Sequence, residues 1–245
     1  MNQTPNPWHW VSGAATDTGV VRKINQDAYL DRADLQLWAV ADGMGGHSEG
    51  EKASRLLVER LGRLGHHGLL GTRVEAIRQT LREVNGQLLR DARALGRDLI
   101  GSTIVTLAAV GDHCAILWVG DSRIYRLRAG NLAQLTTDHT QVQQMVAQGL
   151  LTPEQARHHP LSHVLVRAVG GASELDVDCQ IEAPRGGDRF LLCSDGLDKE
   201  LEDERIALLL GEAEPEVAAR KLVAAACAAG GRDNVTAVVV ECRAR

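Results

Sequence analysis

Four aspartates stand where a strand-length apolar run meets a turn. Residues 37–41 run into Asp42-Gly43, residues 116–119 into Gly120-Asp121-Ser122, and residues 190–193 into Ser194-Asp195-Gly196. The fourth, in Gly231-Arg232-Asp233-Asn234, opens the run 235–240. Asp and Gly are common turn formers, so any one of these is accounted for by local structure. Four in one chain, three of them beside a glycine, point to tips that meet at one end of a sheet. Carboxylates gathered there repel: two charges about 5 Å apart cost roughly 3 kcal/mol at an effective dielectric near ~20. Bound divalent cations relieve that repulsion. All-oxygen ligation suits Mg²⁺ or Mn²⁺, and no His/Cys cluster has zinc-ligand spacing. Two such ions sharing a carboxylate can supply a nucleophile at neutral pH. A further stretch, Asp17-Thr-Gly19-Val-Val-Arg22-Lys-Ile-Asn25-Gln26-Asp27, carries an arginine whose planar fork suits a phosphate.

The elements that position these tips are legible from periodicity. Residues 72–93 predict a helix, with Val74, Ile77, Leu81, Val84 and Leu88 recurring at steps of 3, 4, 3 and 4. Residues 51–64 place Leu57, Leu61 and Leu64 on one side of a second helix. Residues 215–229, rich in Ala and ended by Gly230-Gly231, predict a third. Strands are expected at 35–41, 103–110, 114–119, 123–127, 189–193 and 235–240. The short links Gly111-Asp112-His113 and Ala129-Gly130-Asn131 read as hairpin connections. Hairpins imply antiparallel pairing, and the helices come in blocks of their own. The expected class is α+β, with sheets covered by helices and no doubly wound parallel sheet.

The chain has 245 residues, 44% hydrophobic, enough for one large domain or two small ones with a buried core. Aromatics are only 3%, so the core is expected to rest on Ala, Val, Leu and Ile. Lys and Arg number 27 against 32 Asp and Glu, a formal charge of −5. That balance argues against a general nucleic-acid binder, which needs a basic surplus. Five cysteines form no CxxC pair and are odd in number, which fits a reducing compartment, so a cytoplasmic protein is expected. No signal peptide precedes the apolar runs, and none of those runs is long enough to span a membrane.

Taken together, the motifs resemble the metal-dependent Ser/Thr phosphatases of the protein phosphatase 2C family, in their bacterial form. In order along the chain these are the Asp17…Asp27 stretch, Val40-Ala-Asp-Gly-Met-Gly-Gly-His47 and Gly101-Ser-Thr103. Val119-Gly-Asp-Ser-Arg-Ile-Tyr125, Leu135-Thr-Thr-Asp-His139, Cys193-Ser-Asp-Gly-Leu197 and Arg232-Asp-Asn-Val-Thr236 follow. The likeness covers residues 13–241, and residues 140–170 match the family's flap beside the site. It implies a single catalytic domain, a central antiparallel β-sandwich flanked by helices on both sides. It also implies a centre of two Mn²⁺ or Mg²⁺ ions at one end. By position, Asp42 would bridge both ions, the Gly43 carbonyl would bind one, and Asp195 with Asp233 would complete the set. Asp121 with Asp195 matches a third metal site. Arg22 would hold the substrate phosphate, Asp27 would orient groups around the ions, and Asn234 would support them from behind. The implied reaction is in-line attack of a bridging hydroxide on phosphoserine or phosphothreonine, with no phosphoenzyme. The implied partners are phosphorylated proteins and a cognate Ser/Thr kinase, with no nucleic acid or membrane and the chain acting as a monomer. The motif Ser194-Asp-Gly-Leu-Asp-Lys-Glu-Leu201 resembles that of family members in type VI secretion control. Two positions depart from the animal form. Gln26 stands where a Glu is common, and Met44 stands where a His is a proposed general acid.

Two rival readings stay open on sequence alone. Gly46-His47-Ser48-Glu49-Gly50 fits the G-x-S-x-G elbow of α/β hydrolases, although the strand is expected to stop at Asp42, before the serine. A phosphoprotein-binding scaffold without activity would share the fold, but Asp42, Asp195 and Asp233 are all retained. His158, His159 and His163 fall in the expected flap and read as solvated loop residues.

Overall fold

Apolar runs in this chain become strands with both faces covered. The computed structural model describes residues 7–45, 49–66, 68–157, 159–211 and 214–245. One sheet has the order β1 (Trp8–Asp17), β11 (Val235–Ala244), β10 (Arg189–Cys193), β7 (Arg123–Arg128) and β8 (Asn131–Gln134). The other runs β2 (Asp27–Arg32), β3 (Leu37–Met44), β5 (Ile104–Val110), β6 (His113–Val119) and β9 (Asp178–Glu182). The short β4 (Gly101–Ser102) also pairs with β3. All these pairings are antiparallel.

Period-two alternation sorts the side chains into three cores. Along β3, Leu37, Ala39 and Ala41 face α1 (Glu49–Gly62) and α2 (Leu70–Leu95), while Trp38 and Val40 enter the layer between the sheets. Along β11, Val235, Ala237 and Val239 face α6 (Asp203–Gly211) and α7 (Pro215–Ala229). Val238, Val240 and Cys242 face the other sheet. The result is four layers, α-β-β-α. Helix α2 offers Ile77, Leu81, Val84, Leu88 and Ala92 as one buried stripe. It ends where Gly96 turns left-handed (φ 60°) and donates to the Ala92 and Arg93 carbonyls. Helix α7 starts on Pro215, where the missing N–H costs nothing.

Several details differ from expectation. The scarce aromatics are concentrated in the layer between the sheets, where Trp10 contacts Trp38 at 5.5 Å and Phe190 at 6.2 Å between ring centroids. Both hairpin links are two residues long, since Val110 pairs with His113 and Arg128 with Asn131. Strand β3 does not stop at Asp42: it runs on to Met44, because Gly43 and Met44 pair with Ser102 and Gly101. The expected elbow serine and its neighbours Gly46 and His47 lie outside the described residues, as does His158. Strands β1, β2 and β9 and helices α5 (Asp195–Asp198) and α6 had no counterpart in the sequence reading.

Candidate metal and phosphate centre

The tips of both sheets meet at one end. Asp42 lies near the end of β3, Asp121 follows β6, Asp195 opens α5 directly after β10, and Asp233 precedes β11. Asp27 starts β2 directly opposite Asp42 in the ladder. All of the site residues expected from sequence are thereby brought to one region.

Asp42 is fixed through its backbone. Its N–H donates to Thr103 Oγ1 at 3.1 Å, and its carbonyl accepts from Thr103 N at 2.9 Å and Ser102 Oγ at 2.9 Å. The side chain has no hydrogen bond or ion pair among the described residues. Burial pushes the Asp42 carboxyl well above the usual range, and Asp27, Asp195, Asp121 and Asp233 push it further. Asp121 is 7% exposed and is raised likewise by burial and by Asp195, with Lys199 acting in the opposite direction. The Asp121 carboxylate also makes no hydrogen bond or ion pair among the described residues.

Gly43 is required by close approach. A Cβ there would stand 2.0 Å from the Gly50 carbonyl oxygen and 2.8 Å from that of Gln26. The Gly43 N–H meets that same Gln26 carbonyl at 3.1 Å, which binds β3 to the loop carrying Arg22.

That loop is organised by Asn234. Its side-chain amide donates to the carbonyls of Thr18 at 2.9 Å and Ile24 at 3.0 Å, and its Oδ1 accepts from Gln26 N at 2.8 Å. Gly19 (φ +77°) leans so close to Asp233 that a Cβ would meet its carbonyl oxygen at 2.3 Å. Arg22, just over half exposed, donates from Nε and Nη2 to the two oxygens of Asp233 at 2.8 and 2.7 Å. This bidentate pair raises the guanidinium pKa, with Asp42 and Asp195 adding to the effect. The family resemblance implies a phosphate for Arg22 and a metal for Asp233; the structure pairs the two with each other.

Asp27 is held by residues that spacing alone did not single out. Its Oδ2 accepts from Ser194 Oγ and Thr236 Oγ1, both at 2.7 Å, while Oδ1 is buried without a partner. Burial pushes this carboxyl up to about 7 against the pull of both hydroxyls. Asp195 Oδ2 pairs with Lys199, four residues on, while Asp195 Oδ1 is buried with no partner. Ser194 and Thr236 sit inside motifs already noted. Lys199 carried only an i,i+4 relation to Asp195 as its signal.

A cavity of about 680 Å³ opens beside these tips. Asp121, Asp195 and Asp233 form one wall, and Thr140, Pro153 and Ser162 of the 140–170 segment form another. That segment carries α3 (Gln141–Ala147), capped by Thr140 Oγ1 accepting from Gln143 N, and α4 (Pro153–Arg157). Arg157 ties it to Glu202 and Asp203 beside α6.

The donor set fits a hard divalent cation: oxygens only, among them the buried Asp195 Oδ1 with no partner, in a field of like charge. Among the described residues, no three Asp, Glu, His or Cys side chains already converge on one point. Mg²⁺-like ions bound through one or two carboxylates and completed by water suit such a set better than a closed protein cage.

Comparisons with known proteins agree with this geometry. The sequence profile described as Protein phosphatase 2C matches residues 20–228. The chain is 37% identical over 230 residues to the serine/threonine protein phosphatase PstP of Mycobacterium tuberculosis, covering 93% of this chain and 44% of PstP. The chain thus spans less than half the length of that relative. Among solved structures it is similar to PppA, a key regulatory component of T6SS in Pseudomonas aeruginosa. That likeness has a TM-score of 0.90 and 39% identity, over 96% of this chain and 98% of the other. It is also similar to the catalytic domain of PstP in complex with two manganese ions, with a TM-score of 0.86 and 35% identity over 96% and 98%.

Proposed function

The chain belongs to the protein phosphatase 2C family, and from that premise we propose that it is a single catalytic domain hydrolysing phosphoserine and phosphothreonine in proteins. The observation that carries this reading is Asp42, a carboxylate pinned by its backbone, with no cation bonded to it among the described residues, and facing the field of four other acids. Asp42, the Gly43 carbonyl, Asp195 and Asp233 would hold Mn²⁺ or Mg²⁺. The two manganese ions of the PstP catalytic domain support that choice. When bound, such ions supply Lewis acidity toward the phosphoryl group and an activated water.

The chain's own residues do the rest. Arg22 presents to a phosphate the same fork that it now presents to Asp233, so substrate binding exchanges one bidentate anion for another. Asn234 keeps the arginine loop in reach by tying down Thr18, Ile24 and Gln26. Asp27, steadied by Ser194 and Thr236, keeps one oxygen as an acceptor for an attacking water. Exposed Val20, Val21 and Ile24 flank Arg22 and would meet the substrate chain around the phosphoresidue. The 140–170 flap walls the cavity opposite and would select among such chains. Met44 stands where the animal form has a His as a proposed general acid, so the leaving alkoxide would take its proton from water.

Phosphorylated substrate implies a Ser/Thr kinase upstream, and the likeness to PppA supports a place in type VI secretion control. No helix among the described residues is long and apolar enough to cross a membrane. The test is chemical. Dialysis against EDTA should abolish hydrolysis of p-nitrophenyl phosphate and of a phosphothreonine peptide, and Mn²⁺ should restore both. Full activity after EDTA, lost instead in Ser48→Ala, would establish the serine-hydrolase alternative.

A further inference from the structure

Lys199 lines the same cavity as Asp121 and Asp195, the pair expected to offer a third metal site. Lys199 pairs with Asp195 Oδ2 from the far end of α5, and both residues line the same cavity wall as Asp121. Asp121 is almost wholly buried and has no hydrogen-bond or ion-pair partner among the described residues. The foremost charge stabilising its carboxylate is that of Lys199. Nearby arginines are committed elsewhere: Arg123 to Asp138 and Asp198 at 2.7 and 2.9 Å, and Arg232 to Glu200 at 2.8 Å. The two oxygens of Asp195 are thus used differently. Oδ2 is engaged by the lysine, and Oδ1 is left for the ions of the main centre.

We propose that Lys199 is a built-in cation occupying the position that Asp121 and Asp195 would otherwise offer to a third metal ion, so that the chain binds two divalent ions and excludes a third. An ammonium at ion-pairing distance from Asp195 both occupies the space and removes the negative charge that would attract a dication. The inference rests on the two-ion reading above. It replaces the third site expected from Asp121 and Asp195 with a side chain of the protein itself.

Counting ions by equilibrium dialysis against millimolar Mn²⁺ and elemental analysis tests it without reference to turnover. Wild type should hold two ions per chain, and Lys199→Met should hold three. Asp121→Asn should leave wild type at two and return Lys199→Met from three to two. The Lys199 side chain is 39% exposed, so its replacement is compatible with folding. Lys199→Gln, of different shape and equally uncharged, serves as the second variant and should also gain an ion. Three ions in wild type, or two in both folded Lys199 variants, would overturn the proposal. No bound ion in wild type would instead overturn the metal-centre reading on which it stands.

Discussion

Two groups of acids lie at opposite ends of β10, and their neighbours differ. At its start, Asp188 is 1% exposed and takes two hydrogen bonds from Arg128 at 2.7 and 2.6 Å, with a third from Arg185 N. Beyond its end, Asp42 and Asp121 are gathered with Asp27, Asp195 and Asp233, and neither has a cationic partner bonded to it among the described residues. Asp138 and Asp198, just behind the centre, follow the first pattern through Arg123. Asp188, held at both oxygens by Arg128 at the far end of the strand, is spent on structure. Asp42, left facing other acids with no cation bonded to it among the described residues, is available to a cation from outside. The same residue type therefore serves two ends of one strand, and its neighbours decide which.

The largest expected effect tests the open group. Asp42→Asn should lower kcat on a phosphopeptide by about 10³-fold or more, since the residue would hold both ions. Thermal stability in chelator should hold or rise, because one of five repelling charges is gone. A stability loss with kcat unchanged would erase the distinction between the two groups. Next comes the closed group. Asp188→Ala removes the acid partner of a partly buried Arg128 and should destabilise by about 1–3 kcal/mol in urea titration, leaving activity per folded molecule unchanged. The smallest effect is a pH drift. Asp27 is pushed up to about 7 from its ordinary 3.8. The folded state then binds more protons than the unfolded one between those values. Its stabilising contribution is full below about pH 4 and is lost as pH rises to about 7. In chelator, the Tm difference between wild type and Asp27→Asn should therefore widen over that window, to the disadvantage of wild type.

How much of this was legible in the sequence follows from where each element lies. Central strands are covered on both faces, so β3, β5, β6, β10 and β11 read as continuous apolar runs. Edge strands carry few buried residues: β1 buries only Trp10 and Gly13, and the edge strand β9 buries none. Their pairing is set by neighbours, and nothing in their own sequence announces it. The four tip aspartates were visible because each interrupts an apolar run. The hydroxyls of Ser194 and Thr236 were visible only as parts of motifs, since their contact with Asp27 joins positions 167 and 209 residues apart. The pairing of Arg22 with Asp233 spans 211 residues and likewise has no local signature.

Those bonds to Asp27 have a mechanical consequence. Hydrogen-bond ladders run within each sheet and never between the two, so the sandwich has a seam. Asp27 belongs to one sheet, while Ser194 and Thr236 belong to the tips and strands of the other. The carboxylate is therefore a rivet across that seam, and any cation shared by Asp42 of one sheet and Asp195 of the other would be a second. At the opposite end Trp10 packs against Trp38, and Asp31 of β2 accepts there from Ser12 Oγ of β1 at 2.5 Å and from Trp38 Nε1 at 3.1 Å, so packing and a hydrogen bond close the seam together. Loosening the polar end would let the sheets part like a hinge about that aromatic pair, so hydrogen exchange at the tips of β3 and β10 should report the fastening of the seam.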